Sequence, residues 1–290
     1  MAKSYCSHLV GAFGDPVDEN PTGTMKEAAF AAKGLNYRYL TIEIREDGLK
    51  AAMQAVRALN MRGINLTVPH KVSVLEYLDD LSPAAQIIGA VNTVVNKDGR
   101  LWGDNTDGKG FILALKEKGA EVAGKTMTVL GAGGAARAIA VECALAGTRR
   151  VVIVNKNRQR GEILAELIGQ KTNAASEFIH WEPKIAIPEY TDILVNATTV
   201  GHYPNVNEKP DIDYDSISDK VVVADVIFND PHSHFLKTAE RRGCRTINGL
   251  GMLVHQGALN FHLWTGVEPP RELMMDTLRR EFNLDPEGAS

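Results

Sequence analysis

TMTVLGAGGAARAIAVECALAG, residues 126–147, decides the fold: an apolar strand runs into Gly131, Gly133 and Gly134 and continues as a helix that closes before Gly147. The first glycine permits the tight turn, and the second allows backbone N–H groups to approach a pyrophosphate. The helix N-terminus then offers unpaired donors and the positive end of its dipole. Ala136 takes the sixth position of the GxGxxG/A pattern, and Ala132 and Ala135 complete the loop. A glycine triplet alone is weak, but a strand before it and a helix after it predict a dinucleotide site.

The residue that reads the ribose is expected about 20 positions further on, where an acid selects NAD. That stretch is VNKNRQR: Asn155 stands in place of the acid, and Lys156, Arg158 and Arg160 add positive charge suited to a 2′-phosphate. NADP is therefore the expected cofactor, with NAD the alternative; a solvated basic turn is the other reading of the same residues.

Outward from this unit the same alternation continues. RVVIVN, TDILVNAT, KVVVADVI and RTING read as short buried strands, with GEILAELIGQ and FLKTAERRG as helices between them. Nearly continuous apolar strands are those of a parallel sheet covered on both faces, so this part is predicted to be a doubly wound Rossmann-type α/β domain. Upstream, HLVGAFG, YRYLTIEI and GINLTV alternate with helical TMKEAAFAAKG, LKAAMQAVRALN and VSVLEYLDDL, and AVNTVVNKDGRLWGD reads as a hairpin turning at Asp98-Gly99. Downstream, MLVHQGALNFHLWTG and RELMMDTLRREF are helical, separated by Pro269-Pro270. The expected division is a substrate-binding and catalytic α/β domain over 1–107, a cofactor domain over 108–248, and helices over 249–290 that return to the first domain.

The 290 residues are 44% hydrophobic and 23% charged, with a formal net charge of -4. This is ordinary globular composition, and it speaks against phosphate-backbone binding, so a small-molecule substrate is expected rather than a nucleic acid. Cys6, Cys143 and Cys244 are odd in number and lack CxxC spacing, which suits reduced thiols. MAKSYCSHLV has no apolar leader core, and no run of 18 apolar residues occurs. We expect a cytoplasmic protein, off the membrane, monomeric or homodimeric. The pairs His232/His234 and His255/His262 lack a third ligand at metal spacing, and no metal is expected.

Two segments of the first part carry candidate chemistry. NLTVPHK ends a strand at Pro69 and opens a helix with His70 and Lys71, and GDNTDGKG places Asp104, Asn105, Thr106 and Asp107 at the predicted domain junction. Strand ends and junctions are where α/β proteins build clefts. Reducing a carbonyl needs hydride at carbon and a proton at the developing alkoxide, for which a lysine near a carboxylate is suited. Taken alone, a lysine such as Lys71 is more often a surface residue, and an aspartate such as Asp107 more often a turn residue or helix cap.

In order along the chain, these segments resemble the shikimate dehydrogenase family, including its quinate/shikimate branch. NLTVPHK resembles the family's catalytic-lysine segment, AVNT its substrate-binding asparagine, GDNTDGKG its catalytic-aspartate segment, and GAGGAARA and NKNRQR its cofactor loop and phosphate cluster. NATTVG (196–201) resembles the nicotinamide-side segment and GLGMLVHQGA (249–258) the segment with the substrate glutamine. The resemblance implies an acid/base pair of Lys71 and Asp107, ring-hydroxyl contacts from Asn65, Thr67, Asn92 and Gln256, and cofactor contacts from Thr198, Val200, Val226, Gly249 and Met252. It implies interconversion of a cyclic alcohol such as shikimate and its ketone.

Two departures stand out. Where the family usually carries two serines that hold the substrate carboxylate, DENPTGTM presents Asn20 and Thr22, and DVIFNDP has Phe228 where a tyrosine is common. Asn20 and Thr22 still donate hydrogen bonds but reshape that end of the pocket. Alternatives that these departures leave open are a quinate or other cyclic-polyol dehydrogenase using NAD, and a cofactor-binding regulator without turnover.

Overall fold

The computed structural model describes residues 5–284. Residues 1–4, the opening of the stretch read for a leader, lie outside the described residues. The chain divides into two compact units, 5–106 with 254–284, and 107–253.

In the first unit the elements are β1 (His8–Gly14), α1 (Thr22–Ala32), β2 (Tyr37–Glu43), α2 (Leu49–Ala58), β3 (Gly63–Leu66), α3 (His70–Ser73), β4 (Asp80–Leu81), α4 (Pro83–Ile88), β5 (Thr93–Lys97) and β6 (Arg100–Asp104). They form a six-stranded sheet in the order β2-β1-β3-β5-β6-β4. β1 pairs in parallel with β2 and β3, whereas β5 runs antiparallel to both β3 and β6. The β5–β6 turn has positive φ at Asp98 and Gly99, as a two-residue hairpin requires. Leu49, Met53 and Val56 of α2 are spaced to share one face, and all are buried against Ile64, Leu66, Val94 and Leu101 of the sheet.

The segment 72–81 corrects the sequence reading. Instead of one helix it forms the short α3, a 3-10 turn over Val74–Tyr77 and the strand β4 beside β6. The Asp79 carboxylate accepts from Leu101 N at 2.6 Å and from Arg57 at 2.9 Å, and these partners hold its pKa below the ordinary range. Tertiary partners thus pull the chain out of the helix that its apolar spacing favours. α4, which the sequence reading passed over, has recognisable ends: Ser82 caps Ala85 N, Pro83 sits at the first turn, and Gly89 closes it in the left-handed region.

The second unit contains α5 (Asp107–Glu117), β7 (Thr126–Leu130), α6 (Gly134–Leu145), β8 (Arg150–Asn155), α7 (Arg158–Lys171), β9 (Ala175–His180), β10 (Ile185–Ala186), β11 (Ile193–Asn196), β12 (Ile212–Asp213), β13 (Val222–Asp225), α8 (His234–Glu240) and β14 (Arg245–Ile247). Its main sheet has the order β14-β13-β11-β7-β8-β9, parallel throughout, with β10 and β12 as a separate pair. The order reverses at β7, so the carboxyl ends of β7 and β11 flank the switch point at which doubly wound sheets bind ligands. The strands are short and β-branched because both faces are covered: Val152, Val154, Leu194 and Val223 are all buried.

α9 (Gly249–Thr265) begins in the second unit, and its greater part belongs to the first, as does α10 (Arg271–Glu281). On α9, Gln256, Asn260 and Trp264 recur every four residues and therefore form one stripe. Trp264 Nε1 donates to Val94 O at 3.0 Å, and Tyr37 OH donates to Trp264 O at 3.2 Å. No helix among the described residues is long and apolar enough to cross a membrane.

Trp264 can reach β5 only because residue 63 lacks a side chain: a Cβ there would lie 2.0 Å from Trp264 Nε1 and 2.3 Å from Val94 O. Gly63→Ala should therefore destabilise the protein by about 1–3 kcal/mol through overpacking against backbone. Gly48→Ala is the control, because its methyl would meet Ile44 at 3.4 Å, an ordinary contact. Urea unfolding should show a lowered midpoint for the first variant and an unchanged one for the second; equal midpoints would remove the packing argument.

Candidate active site

In the first unit the candidate residues meet in a buried hydrogen-bond network. Asn65, on β3, accepts from Tyr39 OH at 3.1 Å and donates to Asn92 O at 3.1 Å and Thr93 Oγ1 at 3.3 Å. Burial pushes the Tyr39 phenol well above its ordinary pKa and keeps it a donor. Asn92 Oδ1 accepts from Thr93 Oγ1 at 2.8 Å, Thr106 N at 2.8 Å and Thr106 Oγ1 at 3.2 Å. Asn260 Oδ1 shares with Asn92 Oδ1 the same two hydroxyl protons, those of Thr93 and Thr106, whose oxygens each lie 2.9 Å from Asn260 Oδ1, and Asn260 Nδ2 donates to Gln256 Oε1 at 3.2 Å. The structure thus brings together Asn65, Asn92 and Gln256, three residues drawn from distant parts of the chain.

The network also fixes which end of each amide is engaged. With Gln256 Oε1 accepting from Asn260, its NH2 is the end that this bond leaves open. Asn65 is engaged at both ends by protein groups and ties Asn92 and Thr93 to β3. Tyr39, Thr93 and Asn260 were missed by the sequence reading, which named Thr106 only as part of the GDNTDGKG segment. Asn260 carried one usable signal, a polar residue four positions from Gln256 on an otherwise apolar helix.

Lys71 is the second residue of α3 and half-buried; its carbonyl accepts from Val91 N at 2.8 Å, which ties the α3 turn to the backbone one residue before Asn92. Thr67, between β3 and α3, is half-buried; its N–H donates to Phe13 O at 3.0 Å, and its carbonyl accepts from His70 N at 2.8 Å. His70 is fully buried, with Nε2 2.6 Å from Ile44 O, which marks it as structural. At the start of α1, Asn20 Oδ1 accepts from Thr22 N at 3.0 Å, leaving the Asn20 NH2 and the Thr22 hydroxyl as that end's polar groups.

In the second unit, Gly131 follows β7 with φ +111, and a Cβ there would lie 3.0 Å from Ala197 O, so this turn needs glycine. At Gly133 and Gly134, where α6 begins, an added Cβ would meet nothing within 4 Å. That open space above unpaired helix N–H groups is a cradle that fits a pyrophosphate. Ala132 and Ala135 are half-buried beside it. Arg137, one residue beyond Ala136, is half-buried, and its Nε has no hydrogen-bond partner; burial lowers its pKa. The sequence reading gave Arg137 no role.

Asn155 closes β8 and donates to Asn157 O at 2.8 Å, and Asn157 caps α7 through Arg160 N at 3.0 Å. Lys156, Arg158 and Arg160 are exposed. Lys156 lies over the Trp181 ring at 5.6 Å and Arg158 over Phe178 at 5.7 Å, while Arg158 also meets Glu162 at 3.3 Å.

At the carboxyl end of β11, Asn196 accepts from Thr198 N and Oγ1 at 3.2 and 2.7 Å and donates to Val200 O at 3.2 Å and Asp225 Oδ1 at 3.0 Å. Asp225 also receives Ser233 Oγ at 2.6 Å and Ile227 N at 3.2 Å; burial pushes its pKa up to about 6 against those donors. Gly249 N donates to Ile227 O at 3.2 Å, so the chain around Thr198, Val200, Val226 and Gly249 is held as one group, with Met252 buried on the first turns of α9. Asp107 opens α5 and is 8% exposed, a favourable place for an acid in a helix's first turn. His232 and His234 are exposed, whereas His255 is buried and His262 exposed. Among the described residues, no group of three or more His, Cys, Asp or Glu side chains is placed to hold a metal.

Comparison with known proteins agrees across nearly the whole chain. The shikimate dehydrogenase substrate binding domain matches residues 12–94, shikimate / quinate 5-dehydrogenase matches 113–228, and the shikimate 5'-dehydrogenase C-terminal domain matches 249–279. The shikimate dehydrogenase (NADP(+)) of Desulforamulus reducens is 41% identical over 95% of this chain and 96% of its own. Among solved structures, the ligand-free 5-ketofructose reductase of Gluconobacter sp. strain CHM43 has a TM-score of 0.92 and 44% identity, over 96% of this chain and 100% of its own. The shikimate 5-dehydrogenase of Listeria monocytogenes, in complex with shikimate and NAD, has a TM-score of 0.90 and 38% identity, over 95% and 97%. On the strength of this shared sequence, fold and motif order, the chain belongs to the shikimate dehydrogenase family, a family of nicotinamide-dependent oxidoreductases.

Proposed function

We propose that this protein moves a hydride reversibly between NADP(H) and a ring hydroxyl/ketone pair of shikimate or a close analogue, with Lys71 and Asp107 as its acid/base groups. We place it in the cytoplasm. The observation that carries the reading is the open glycine cradle at Gly133 and Gly134, at the switch point of a parallel sheet.

NADP, when bound, supplies or accepts the hydride. The cradle takes the pyrophosphate, with Arg137 as a nearby cation, and Lys156, Arg158 and Arg160 take the 2′-phosphate. Asn92 and Gln256 orient ring hydroxyls. In the oxidising direction Lys71 and Asp107 receive the hydroxyl proton; in the reducing direction they return it to the developing alkoxide. A site that pairs several hydroxyls rejects analogues lacking one more strongly than apolar packing does.

A second reading is favoured by Asn20 and Thr22. These two residues offer an amide NH2 and a hydroxyl at the end where the family's serine pair holds a carboxylate. The 44% identical relative is named for a neutral polyhydroxy ketone, 5-ketofructose. On this reading the substrate is an uncharged ketose and the chemistry is unchanged.

Lys71→Ala should lower kcat by about 10²–10⁴-fold, the usual contribution of a general acid or base, and leave NADP affinity by calorimetry unaltered; unchanged turnover would remove Lys71 from the mechanism. Replacing Arg158 and Arg160 together with Gln should weaken NADP binding by about tenfold or more, the scale of one or two charge-assisted hydrogen bonds, with NAD binding little changed. An equal loss for both cofactors would contradict the 2′-phosphate assignment. Assaying shikimate, quinate and 5-ketofructose separates the two substrate readings. In the Asn20→Ser/Thr22→Ser double variant, kcat/KM should move toward shikimate relative to 5-ketofructose; a constant ratio would show that these residues do not face the discriminating group.

A further inference from the structure

Lys26 is among the largest fully buried side chains of the described residues, with 0% exposure, and none of the roles above uses it. It lies on α1 one turn after Thr22, on the same helix face. Its Nζ donates to Gly257 O on α9 and sits 4.7 Å from the centre of the Trp264 ring. No carboxylate among the described residues pairs with it, and burial holds its pKa well below the ordinary lysine value.

An amine buried without a counter-ion costs stability, and an apolar side chain of similar volume in its place is often neutral or stabilising. Gly257 O does not depend on it either, since a carbonyl inside a helix faces the N–H four residues on. Folding alone therefore gives little reason for a lysine here. What Lys26 does join is the helix whose first turn carries Thr22 to the turn of α9 that carries Gln256, the residue immediately before its acceptor. The approach is close: a Cβ at Gly257 would lie 2.4 Å from Met25 Cε.

We propose that Lys26 is a positioning residue for substrate: its N–H, donated to Gly257 O, sets the turn of α9 that presents the Gln256 amide. This rests on the reading of Gln256 as a substrate contact.

The test uses the full chain with Lys26→Met, which removes the donor at similar volume, and Lys26→Gln, which restores an uncharged N–H. On whichever panel compound the wild type turns over, Lys26→Met should raise KM by about tenfold, the scale of one misplaced hydrogen bond. Its kcat, NADP affinity and melting temperature should be little changed or, for the last, raised, and Lys26→Gln should recover most of the KM. An unchanged KM in Lys26→Met overturns the proposal, as does a loss of melting temperature and NADP affinity in parallel with KM. If Lys26→Met does not fold, the proposal fails as well unless Lys26→Gln folds with a near-native KM. If the wild type turns over no panel compound, the assignment of Gln256 is what fails. Amide exchange over residues 254–262 then decides for Lys26: faster exchange in Lys26→Met than in wild type and Lys26→Gln supports it, and equal exchange overturns it.

Discussion

Asn260 holds the polar interior of the first unit in register. Its side-chain oxygen accepts two threonine hydroxyls, and its NH2 donates to Gln256, so one fully buried amide connects β5, the end of β6 and α9. Buried polar groups are costly unless paired, and the pairing is directional, so α9 is confined to one rotation and one depth against the sheet. On the same helix Trp264 reaches Val94 O one turn later, and Gln256 lies one turn earlier. Apolar contact alone would tolerate a slide along the groove; this network does not.

The second unit solves a different problem with the same economy of parts. Its main sheet is wholly parallel and its central strands are mostly apolar, which concentrates polar chemistry at their carboxyl ends. There the open N-terminus of α6 stands beside the Asn196–Asp225 cluster, which ties together the loops after β11 and β13. Asp225 is a buried carboxylate kept usable by three donors; without them its charge would be untenable at that depth.

The substrate end is where family membership and local chemistry part. Family membership rests on long-range agreement of sequence and fold. Asn20 and Thr22 are two residues at the head of α1, yet on the proposed reading their hydrogen-bonding groups decide whether a carboxylate or a neutral hydroxylated group is met there. Pairing of polar groups discriminates among ligands far more sharply than it affects the fold, so two such residues can change a substrate in an unchanged scaffold.

The sequence by itself determined the elements whose signals are local. The glycine loop and its helix, the alternation of strands and helices, the Asp98-Gly99 hairpin and the break at Pro269-Pro270 depend on φ preferences and on periodicity within a dozen residues. The candidate residues Asn92 and Gln256 were legible because they sit in ordered motifs. Only the tertiary structure decided the rest. The strand β4 arises where Leu101 N and Arg57 claim Asp79, against a helical apolar spacing. Tyr39, Thr93 and Asn260 gain their meaning from partners up to 167 residues away. Lys26, a charged residue of the helical stretch TMKEAAFAAKG, lies in the structure wholly inside. Hydrogen bonds between distant residues leave no periodic trace in the chain, because their geometry exists only once the backbone has closed around them.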